Sequence, residues 1–555
     1  MSDLRRRNLT AGYTETQRKF KQTQEAFPYP KGLGSISPIF ALISVLSASL
    51  CALWSHLSLR RTKRAARISG ALLCLGAAGC EVGPNYHAPN THVSKGWNAP
   101  SPQPTTQSTV LPTTQRSITV EQPLAVAEWW TAFNDPELDS LIHRGVQANL
   151  DVRAAEYRVI QARAQRGATA SEFFPQVSSA GAYSRSHSEG SAGAPGGNSG
   201  HFDHSNDFWQ AGLDATWEMD LFGGIKRSVE SADASVGASV EDRRDVLVTL
   251  LSEVAVDYIQ LRGFQQEIVI ARKNLDAQEK TAALTRRRRS GGFVAGLDVA
   301  NAEADVASTA AQLPVFETAA EQSIYALSVL LAQEPDALEQ ELATDKPIPT
   351  TPPEIPIGLP SDLLKRRPDI RRAERQLAAA TANIGAVTAQ LFPDFSLTGS
   401  LGLQNPQFKP LFNASSRYWS IGPSISWPVL DFGRIRSNVA IQNSLEVQAL
   451  LAYQSAVLNA LQDVKNCLIA YAKEQVHRKA LSDAVAANRR AVDISTRLYA
   501  VGSTDFLNVL DAQRSLFASE DALVQSDRAV STDLVALYKA LGGGWETAEP
   551  PAPTH

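Results

Sequence analysis

The second half of the chain repeats the first half at nearly constant spacing. At an offset of 218 residues, Phe174-Pro175 matches Phe392-Pro393 and Gly181 matches Gly399. After a loop that is longer in the first copy, the offset becomes 210, and it pairs Trp209 with Trp419, Trp217 with Trp427, and Gly292 with Gly502. A repeat of about 200 residues is too long for a solenoid unit. The duplication therefore predicts two equivalent halves that build one pseudo-symmetric structure.

Composition and charge exclude several classes of function. Residues 1–79 carry 12 Lys and Arg against 3 Asp and Glu, whereas residues 80–555 carry 41 against 54, a poor balance for a nucleic-acid binder. Of the four cysteines, Cys467 stands alone on a helical face, so neither a disulfide framework nor a zinc site is predicted. No catalytic motif occurs in a suitable frame, so we expect no enzyme activity, no cofactor and no metal site.

The N-terminal region has the features of a secretory signal. A basic segment, 60–67, precedes an apolar segment, 68–75, that is too short to span a bilayer. Small residues, 76–79, then lead to Cys80. This arrangement resembles a bacterial lipobox, in which Cys80 becomes the lipidated first residue, and Glu81 after it resembles the sorting position of outer-membrane lipoproteins. Stable attachment needs several acyl chains or an embedded barrel.

The boundaries of the tails follow from composition. Residues 1–79 are interpreted as a leader with a signal peptide, and 80–127 as a lipid-anchored linker rich in Pro, Thr, Ser and Gln. Residues 36–59 are apolar enough for a membrane helix, and Met occurs only at positions 1 and 219. We therefore hypothesise that 1–59 reflects a mis-assigned start and that translation begins near Leu57 or Leu59; the alternative is a genuine extended leader. Residues 542–555 are expected to be a disordered tail.

Each structural repeat, 128–345 and 346–541, has three predicted parts. The first is a helix over 136–171 or 361–390 that a proline ends. Two strands come next. The third part is a proline-free helix, 225–289 or 435–499, with apolar residues three to four apart, and at 1.5 Å per residue it forms a rod of about 100 Å. A glycine turn, at Gly292 or Gly502, then leads into a returning helix.

The strands alternate apolar and polar residues, which gives each strand one apolar and one polar face. Aromatic residues lie near both ends, as in membrane-spanning strands; these are Trp209, Trp217, Trp419 and Trp427. Four strands per chain cannot close a barrel, so an embedded sheet requires partner chains. The segment 186–206 is expected to be a surface loop, and His187, His201 and His204 are interpreted as loop residues rather than as metal ligands.

Helix, two strands and helical hairpin, repeated twice, resemble the TolC-like outer-membrane efflux factors. Three sequence signals are similar to the NodT-type lipoprotein branch: Cys80 with Val82-Gly83-Pro84-Asn85-Tyr86, the start Trp129-Trp130-x-x-Phe133, and the two glycine turns. The resemblance implies a mixed α and β fold, in which three chains form a 12-stranded transmembrane β-barrel that continues into a long periplasmic α-helical barrel.

The same resemblance implies where the pore closes. The family narrows its channel at the hairpin turns with rings of carboxylates and with bonds between hairpins. Asp511 falls at one acidic ring position, and Asn508 stands at the other. Asp298 and Tyr499 match a bridging pair, but Thr504 stands where an arginine usually joins them. The alternative is that these residues are ordinary helix caps and solvated charges.

The implied function is the exit duct of a tripartite efflux pump that exports drugs or other small molecules. Its implied partners are two further copies of the chain, a periplasmic adaptor, an inner-membrane RND-type transporter and outer-membrane lipids. A type I secretion duct and a lipid-anchored coiled-coil scaffold without a pore are the alternatives; a scaffold gives no reason for the alternating strands.

Overall fold

The computed structural model describes residues 81–91, 118–120, 127–191, 201–351, 354–356 and 360–548. The leader and Cys80 lie outside this part of the chain. Two sets of elements follow one another along it. The first set contains β1 (Ile118–Val120), α1 (Pro136–Ala148), α2 (Leu150–Ala170), β2 (Gln176–Ser191), β3 (His201–Met219), α3 (Gly224–Ser290), α4 (Gly296–Leu330) and the single turn α5 (Glu339–Leu342). The second contains β4 (Glu354–Pro356), α6 (Pro360–Arg366), α7 (Pro368–Ala389), β5 (Asp394–Asn405), β6 (Arg417–Ser426), α8 (Arg434–Ala500) and α9 (Phe506–Ala540).

The first predicted helix of each repeat is broken into two at the same relative position. In the first copy, Asn149 leaves the helical conformation and its side-chain oxygen accepts from the backbone N–H groups of Asp151 and Val152, which starts α2. In the second copy, Pro368 occupies the first turn of α7 and Arg367 precedes it. Asn149 donates to the carbonyl of Leu330 at 2.9 Å, and Arg367 donates to the carbonyl of Ala540 at 2.9 Å. Different side chains thus make the same bond to the end of each hairpin.

The sheet is antiparallel, with the strand order β2-β3-β5-β6. Leu213 of β3 lies opposite Leu401 of β5, which lies opposite Trp419 of β6, so the apolar residues share one face. The polar face carries serine pairs such as Ser400 and Ser420, whose hydroxyls are 2.7 Å apart. Strands β2 and β6 each have one edge that no other described strand pairs.

The prediction of a surface loop over 186–206 is wrong at both ends. Strand β2 continues to Ser191 and β3 begins at His201, so the two strands stay paired beyond the point where β5 stops at Asn405. Cross-strand pairing satisfies the backbone groups of 186–191 and 201–206. His187 lies within the ribbon, with Nδ1 3.3 Å from the hydroxyl of Ser205. The described residues contain no group of side chains suited to hold a metal ion.

The long helices α3 and α8 are each 67 residues, or about 100 Å at 1.5 Å per residue, as the proline-free segments predict. Helix α3 folds back onto α4, and α8 onto α9; we call these pairs the first hairpin and the second hairpin. Helix α9 also packs along α3, so the two hairpins lie side by side. None of the helices described is both long enough and apolar enough to cross a membrane.

The main apolar core lies where the hairpins meet the short helices. It contains Trp129, Trp130, Phe133, Leu138 and Leu141, all at most 2% exposed, together with side chains from the middle of α3 and the end of α9. Trp129 stacks on Tyr538 of α9 with ring centroids 5.3 Å apart. The predicted start motif thus anchors the N-terminal end of the fold to the last helix.

A buried cation, Arg262, connects three parts of this core. Its side chain is fully buried, and Nη2 lies 2.5 Å from the carboxylate of Glu137 at the start of α1. Nη1 donates to the carbonyl of Thr344 at 2.8 Å, in the segment after α5. Lys346 reaches the same Glu137 oxygen at 2.5 Å. Because the low-polarity surroundings strengthen these bonds, removal of one partner leaves costly unpaired groups.

We predict that Arg262→Ala destabilises the fold by about 3 kcal/mol, because Glu137 and the Thr344 carbonyl lose a buried donor. The matched control is Arg272→Ala on the same helix, whose pair with Glu317 is largely exposed and contributes at most about 1 kcal/mol. Thermal unfolding of the purified protein, followed by circular dichroism, measures both. Equal melting temperatures for the two variants would contradict the structural role assigned to Arg262.

Candidate aperture at the hairpin ends

The two hairpin turns have the same backbone geometry. Gly292 has φ +77° and Gly502 has φ +80°, values that favour glycine. In the first turn, the N–H groups of Gly292 and Phe293 donate to the carbonyls of Arg289 and Arg288. In the second turn, Gly502 and Ser503 donate to Tyr499 and Leu498, which are the equivalent residues at an offset of 210. Both predicted glycine turns therefore end a long helix in the same way.

A second, smaller apolar core holds the two hairpin ends together. It contains Ala282 and Ala302 of the first hairpin and Tyr499, Phe506, Val509 and Leu510 of the second, all at most 4% exposed. Burial of these side chains supplies a non-directional attraction between the hairpins at their ends. It leaves the relative position of the hairpins to be fixed by polar contacts.

Tyr499 is at the centre of these contacts. Only 1% of its surface is exposed, its ring lies 5.6 Å from that of Phe506, and its hydroxyl donates to Thr285 Oγ1 at 3.3 Å across the two hairpins. The guanidinium of Arg288 lies 4.5 Å from the centre of the Tyr499 ring and donates through Nη1 to the Tyr499 carbonyl. Arg288 of α3 thus contacts both the ring and the backbone carbonyl of Tyr499, and these two contacts join α3 to α8.

The structure does not join the predicted bridging residues to one another. The Asp298 carboxylate accepts from the backbone N–H of Ala295 at 3.2 Å, and so caps the start of α4. Thr504 accepts from the side chain of Asn508 at 2.8 Å, within the second hairpin. The cation that contacts Tyr499 comes from the first hairpin, as Arg288. Sequence reasoning missed Arg288, although four consecutive arginines at the end of α3, 286–289, were a visible signal.

Further hydrogen bonds cross between the hairpins above the turns. Gln513 donates to Thr281 Oγ1 at 3.0 Å, and Arg514 donates to Asp305 at 2.8 Å, where the Asp305 side chain is only 10% exposed. Farther along, Asn274 donates to Glu520 at 3.2 Å. We call the polar contacts made by these pairs and by Arg288 with Tyr499 the hairpin seam. The seam fixes the register of the two hairpins within one chain.

The two residues predicted to form the carboxylate ring lie on the exposed surface of the second hairpin. Asp511 and Asn508 are both exposed on the first turns of α9, next to the buried pair Val509 and Leu510. In the described part of the chain, no side-chain hydrogen bond or ion pair engages the Asp511 carboxylate. The Asp511 side chain is therefore exposed to solvent, and its part in ion conduction stays a prediction.

Two of the predicted aromatic residues mark the end of the sheet nearest the helices. Trp217 Nε1 donates to the carbonyl of Phe173 at 2.8 Å, and Trp427 Nε1 donates to that of Leu391 at 3.1 Å. Both acceptors end the first helical part of their repeat, so the duplication preserves the bond. At the other end of the sheet, Trp209 packs against Tyr183, with ring centroids 4.2 Å apart. Trp419 is 74% exposed and projects from the apolar face.

Residues 81–91, predicted as part of a linker, lie against the helices below the sheet. Glu81 pairs with Lys226 at 2.7 Å and with the buried Arg227 at 3.1 Å, near the start of α3. The hydrogen bond from Lys226 and the nearby positive charges lower the pKa of the Glu81 carboxyl. Tyr86 donates to Glu374 of α7 at 3.1 Å. The segment therefore bridges the two repeats at the base of the sheet, directly after Cys80.

Comparison with known proteins agrees with this architecture. The family described as Outer membrane efflux protein matches residues 141–333 and 359–543, one segment in each repeat. The pyoverdine export outer membrane protein OpmQ of Pseudomonas aeruginosa is 35% identical over 427 residues, 76% of this chain and 88% of that protein. Nodulation protein T of Rhizobium leguminosarum bv. trifolii is 30% identical over 482 residues, 87% of this chain and 98% of that protein.

Solved structures give the same result. The outer-membrane channel OprN superposes with a TM-score of 0.75 at 36% identity, over 84% of this chain and all of that one. CusC superposes with a TM-score of 0.69 at 27% identity, over 84% of this chain and all of that one. The chain belongs to the outer membrane efflux protein family.

Proposed function

We propose that three copies of this chain form the outer-membrane exit duct of a tripartite efflux pump. The observation that carries the proposal is the four-stranded sheet, which has one apolar face and two edges that no described strand pairs. A sheet with open edges cannot remain in a lipid bilayer, because its unpaired N–H and C=O groups cost several kcal/mol each. Three sheets joined edge to edge give twelve strands and leave no open edge.

The long helices support the same assembly. Helix α8 carries exposed apolar side chains along its length, among them Leu451 at 58%, Leu458 at 66% and Val476 at 62%. Apolar exposure repeated along a rod of about 100 Å calls for neighbouring helices. In a trimer, the two hairpins of each chain form a helical wall beneath the barrel, and the wall encloses a conduit.

The proposed partners follow from the place where the conduit ends. A duct that ends at the hairpin turns on the periplasmic side needs a periplasmic adaptor and an inner-membrane transporter of the RND type to supply its cargo. The relatives differ in cargo by name, from pyoverdine to toluene, and some serve antibiotic efflux pumps. We propose small molecules of this general kind as cargo and assign the choice of substrate to the transporter.

The N-terminal segment supports a lipid-anchored mature protein. Because Glu81 is held by Lys226 and Arg227 just below the sheet, an acylated Cys80 has its chains beside the barrel wall. Removal of the 1–79 leader by signal processing is part of this proposal.

The hairpin seam and the exposed Asp511 together make a gated, charge-selective aperture. In this proposal, the contact of Arg288 with Tyr499 holds the second hairpin against the first and keeps the pore narrow. Three Asp511 carboxylates line the narrow part, and Asn508 contributes no charge to it. Opening requires the seam to break while the smaller apolar core slides.

We predict that Arg288→Leu opens the aperture, because it removes the guanidinium from Tyr499 but keeps an apolar side chain at this position. A bond of this type contributes about 1–3 kcal/mol. Single-channel recording in planar bilayers should show larger conductance or longer openings than the parent chain. Arg286→Leu is the control, since Arg286 pairs with Glu303 inside the first hairpin at 2.8 Å and does not cross the seam. Identical recordings for the two variants would remove Arg288 from the gate.

The charge of the ring is tested by a pair of opposite substitutions. Asp511→Asn should lower the cation-to-anion permeability ratio by about twofold or more, and Asn508→Asp should raise it, because each changes the charge of the ring by three in a trimer. Reversal potentials in a salt gradient measure the ratio. A ratio that neither substitution moves would place these side chains away from the conduction path.

A further inference from the structure

A cavity of about 590 Å³ lies near the middle of α3, α8 and α9, where α9 packs against both of the longer helices. Its lining includes Gln260 and Phe264 of α3, Glu474 and His477 of α8, and Arg528 of α9. Cavities that hold drug-sized ligands measure about 300–1,000 Å³. This space, which we call the mid-wall cavity, is therefore large enough for a small organic molecule.

Carboxylates outnumber cations around the mid-wall cavity. Four of them lie in or beside it, those of Glu267, Glu474, Asp521 and Asp533. Arg528 offsets the charge of Glu267, since its Nη1 lies 3.6 Å from Glu267 Oε1. In the described part of the chain, no lysine or arginine forms an ion pair with the other three. The site is therefore negative, even when His477 is protonated.

Burial makes this negative charge costly. Glu267 is only 3% exposed, and no donor among the described residues makes a hydrogen bond to its Oε1. Burial raises the pKa of Glu267 to about 7. It also raises the pKa of Asp521 and of Asp533, and the nearby charge of Glu474 raises the pKa of Asp533 further. A positively charged ligand would stabilise the ionised carboxylates, because it would offset charge that the fold leaves uncompensated.

The carboxylate of Glu474 is held at the cavity by its neighbours. It accepts a hydrogen bond from the hydroxyl of Ser526 on α9, and it lies 3.1 Å from Nδ1 of His477. Ser526 is itself a lining residue. Because two contacts fix this carboxylate, a ligand that reaches it meets a charge already in position.

Apolar surface lies beside the charges. Ala522 and Ala529 are seven residues apart on one face of α9, and both line the cavity. The ring of Phe264 lines it as well, with the Arg528 guanidinium 4.8 Å from the ring centre. The small alanines leave a shallow apolar floor that suits a flat ring system, with Glu474 within reach of an attached positive charge.

The mid-wall cavity lies on one side of the helical wall, and a chain segment crosses the other side. Ser531 of α9 donates to the Pro349 carbonyl at 3.3 Å, and Gln266 of α3 donates to the Lys346 carbonyl at 3.2 Å. At about 100° per residue, the lining residues of α3 and α9 lie roughly opposite to Gln266 and Ser531. A segment that crossed the conduit side would obstruct it. The segment 344–349 therefore belongs outside, and the cavity opens into the conduit.

We propose that the mid-wall cavity is a binding site for aromatic organic cations, at which such cargo contacts the wall of the conduit on its way out. The ring system would lie over Ala522 and Ala529, and the positive charge would lie beside Glu474. The place of the cavity in the conduit rests on the proposed function, whereas the binding of a cation rests on the contacts of one chain.

The test uses the full chain purified as a trimer in non-ionic detergent. Ethidium is the aromatic cation and fluorescein is the aromatic anion, and fluorescence anisotropy follows their binding. Glu474→Gln removes one charge and keeps an oxygen that can accept from Ser526, while Ala529→Leu fills the cavity and keeps every charge. Glu279→Gln is the matched control, because Glu279 is an exposed carboxylate elsewhere on α3. Circular dichroism checks that each variant is folded.

We expect ethidium to bind the parent about tenfold more tightly than fluorescein. Glu474→Gln and Ala529→Leu should each weaken ethidium binding about fivefold, since one removes a half-buried charge and the other removes space. Glu279→Gln should keep the parent affinity. Equal affinities for the two dyes would overturn the proposal. So would equal affinities of Glu474→Gln and Glu279→Gln for ethidium, or ethidium binding that no variant changes, as for a dye held by detergent.

Recording in planar bilayers separates this inference from the proposed function. Ethidium should interrupt the current of the parent channel, and the interruptions should be shorter in Glu474→Gln. If the parent conducts and ethidium never interrupts the current, the cavity does not face the conduit and the inference is wrong. If the parent does not conduct, the proposed function fails, and the dependence of ethidium binding on Glu474 still decides whether the cavity is a cation site.

Discussion

The fold depends on the two edges of its four-stranded sheet that no described strand pairs. Every backbone group along β2 and β6 that faces away from the sheet needs a partner, and inside a bilayer only another strand can provide one. Because the apolar face of the sheet carries Trp419 and Leu213 while the opposite face carries serine pairs, one surface suits lipid and the other suits water. When further copies of the chain close the sheet into a barrel, the strand edges are paired, the apolar face meets lipid and the polar face meets water. The same closure brings the long helices of neighbouring chains together and places all hairpin ends at one level.

The internal duplication explains much of the structure, and the differences between the two copies indicate where function lies. The bonds that set the architecture are repeated: Trp217 and Trp427 hold equivalent carbonyls, and Asn149 and Arg367 both bond the end of a hairpin. The hairpin ends, by contrast, have diverged. Arg288 replaces the apolar residue of the other copy, Leu498, and creates a contact that only one hairpin can donate. The two hairpins are similar in architecture, but the hairpin seam that joins them is therefore asymmetric.

The sequence alone predicted the repeated elements well, because periodicity reports local structure directly. Proline-free segments with apolar residues three to four apart predicted helices of about 65 residues, and both long helices have 67. Alternation predicted the strands, but it could not show that 186–191 and 201–206 belong to paired strands rather than to a Gly-rich loop. The break at Asn149 was missed because the asparagine follows an apparently continuous helix, and only its contact with Leu330 makes a cap there favourable.

The side-chain contacts of the site were less accessible to sequence reasoning. Arg262 reaches Glu137 over 125 positions, and Arg288 reaches Tyr499 over 211, so their pairing depends on the register of packed helices rather than on local pattern. The positions taken from family resemblance lie near the hairpin turns, and Asp298 and Thr504 make only local bonds there. The segment after Cys80 was interpreted as part of a linker, because its composition does not reveal an ion pair with Lys226.

The most direct test of the central claim is the mass and shape of residues 80–555 purified from outer membranes in detergent, by light scattering with negative-stain imaging. The account predicts an elongated trimer well over 100 Å long, in which three sheets have joined their edges. A monomer or dimer that can be extracted without detergent would leave those edges open and would contradict the shared barrel.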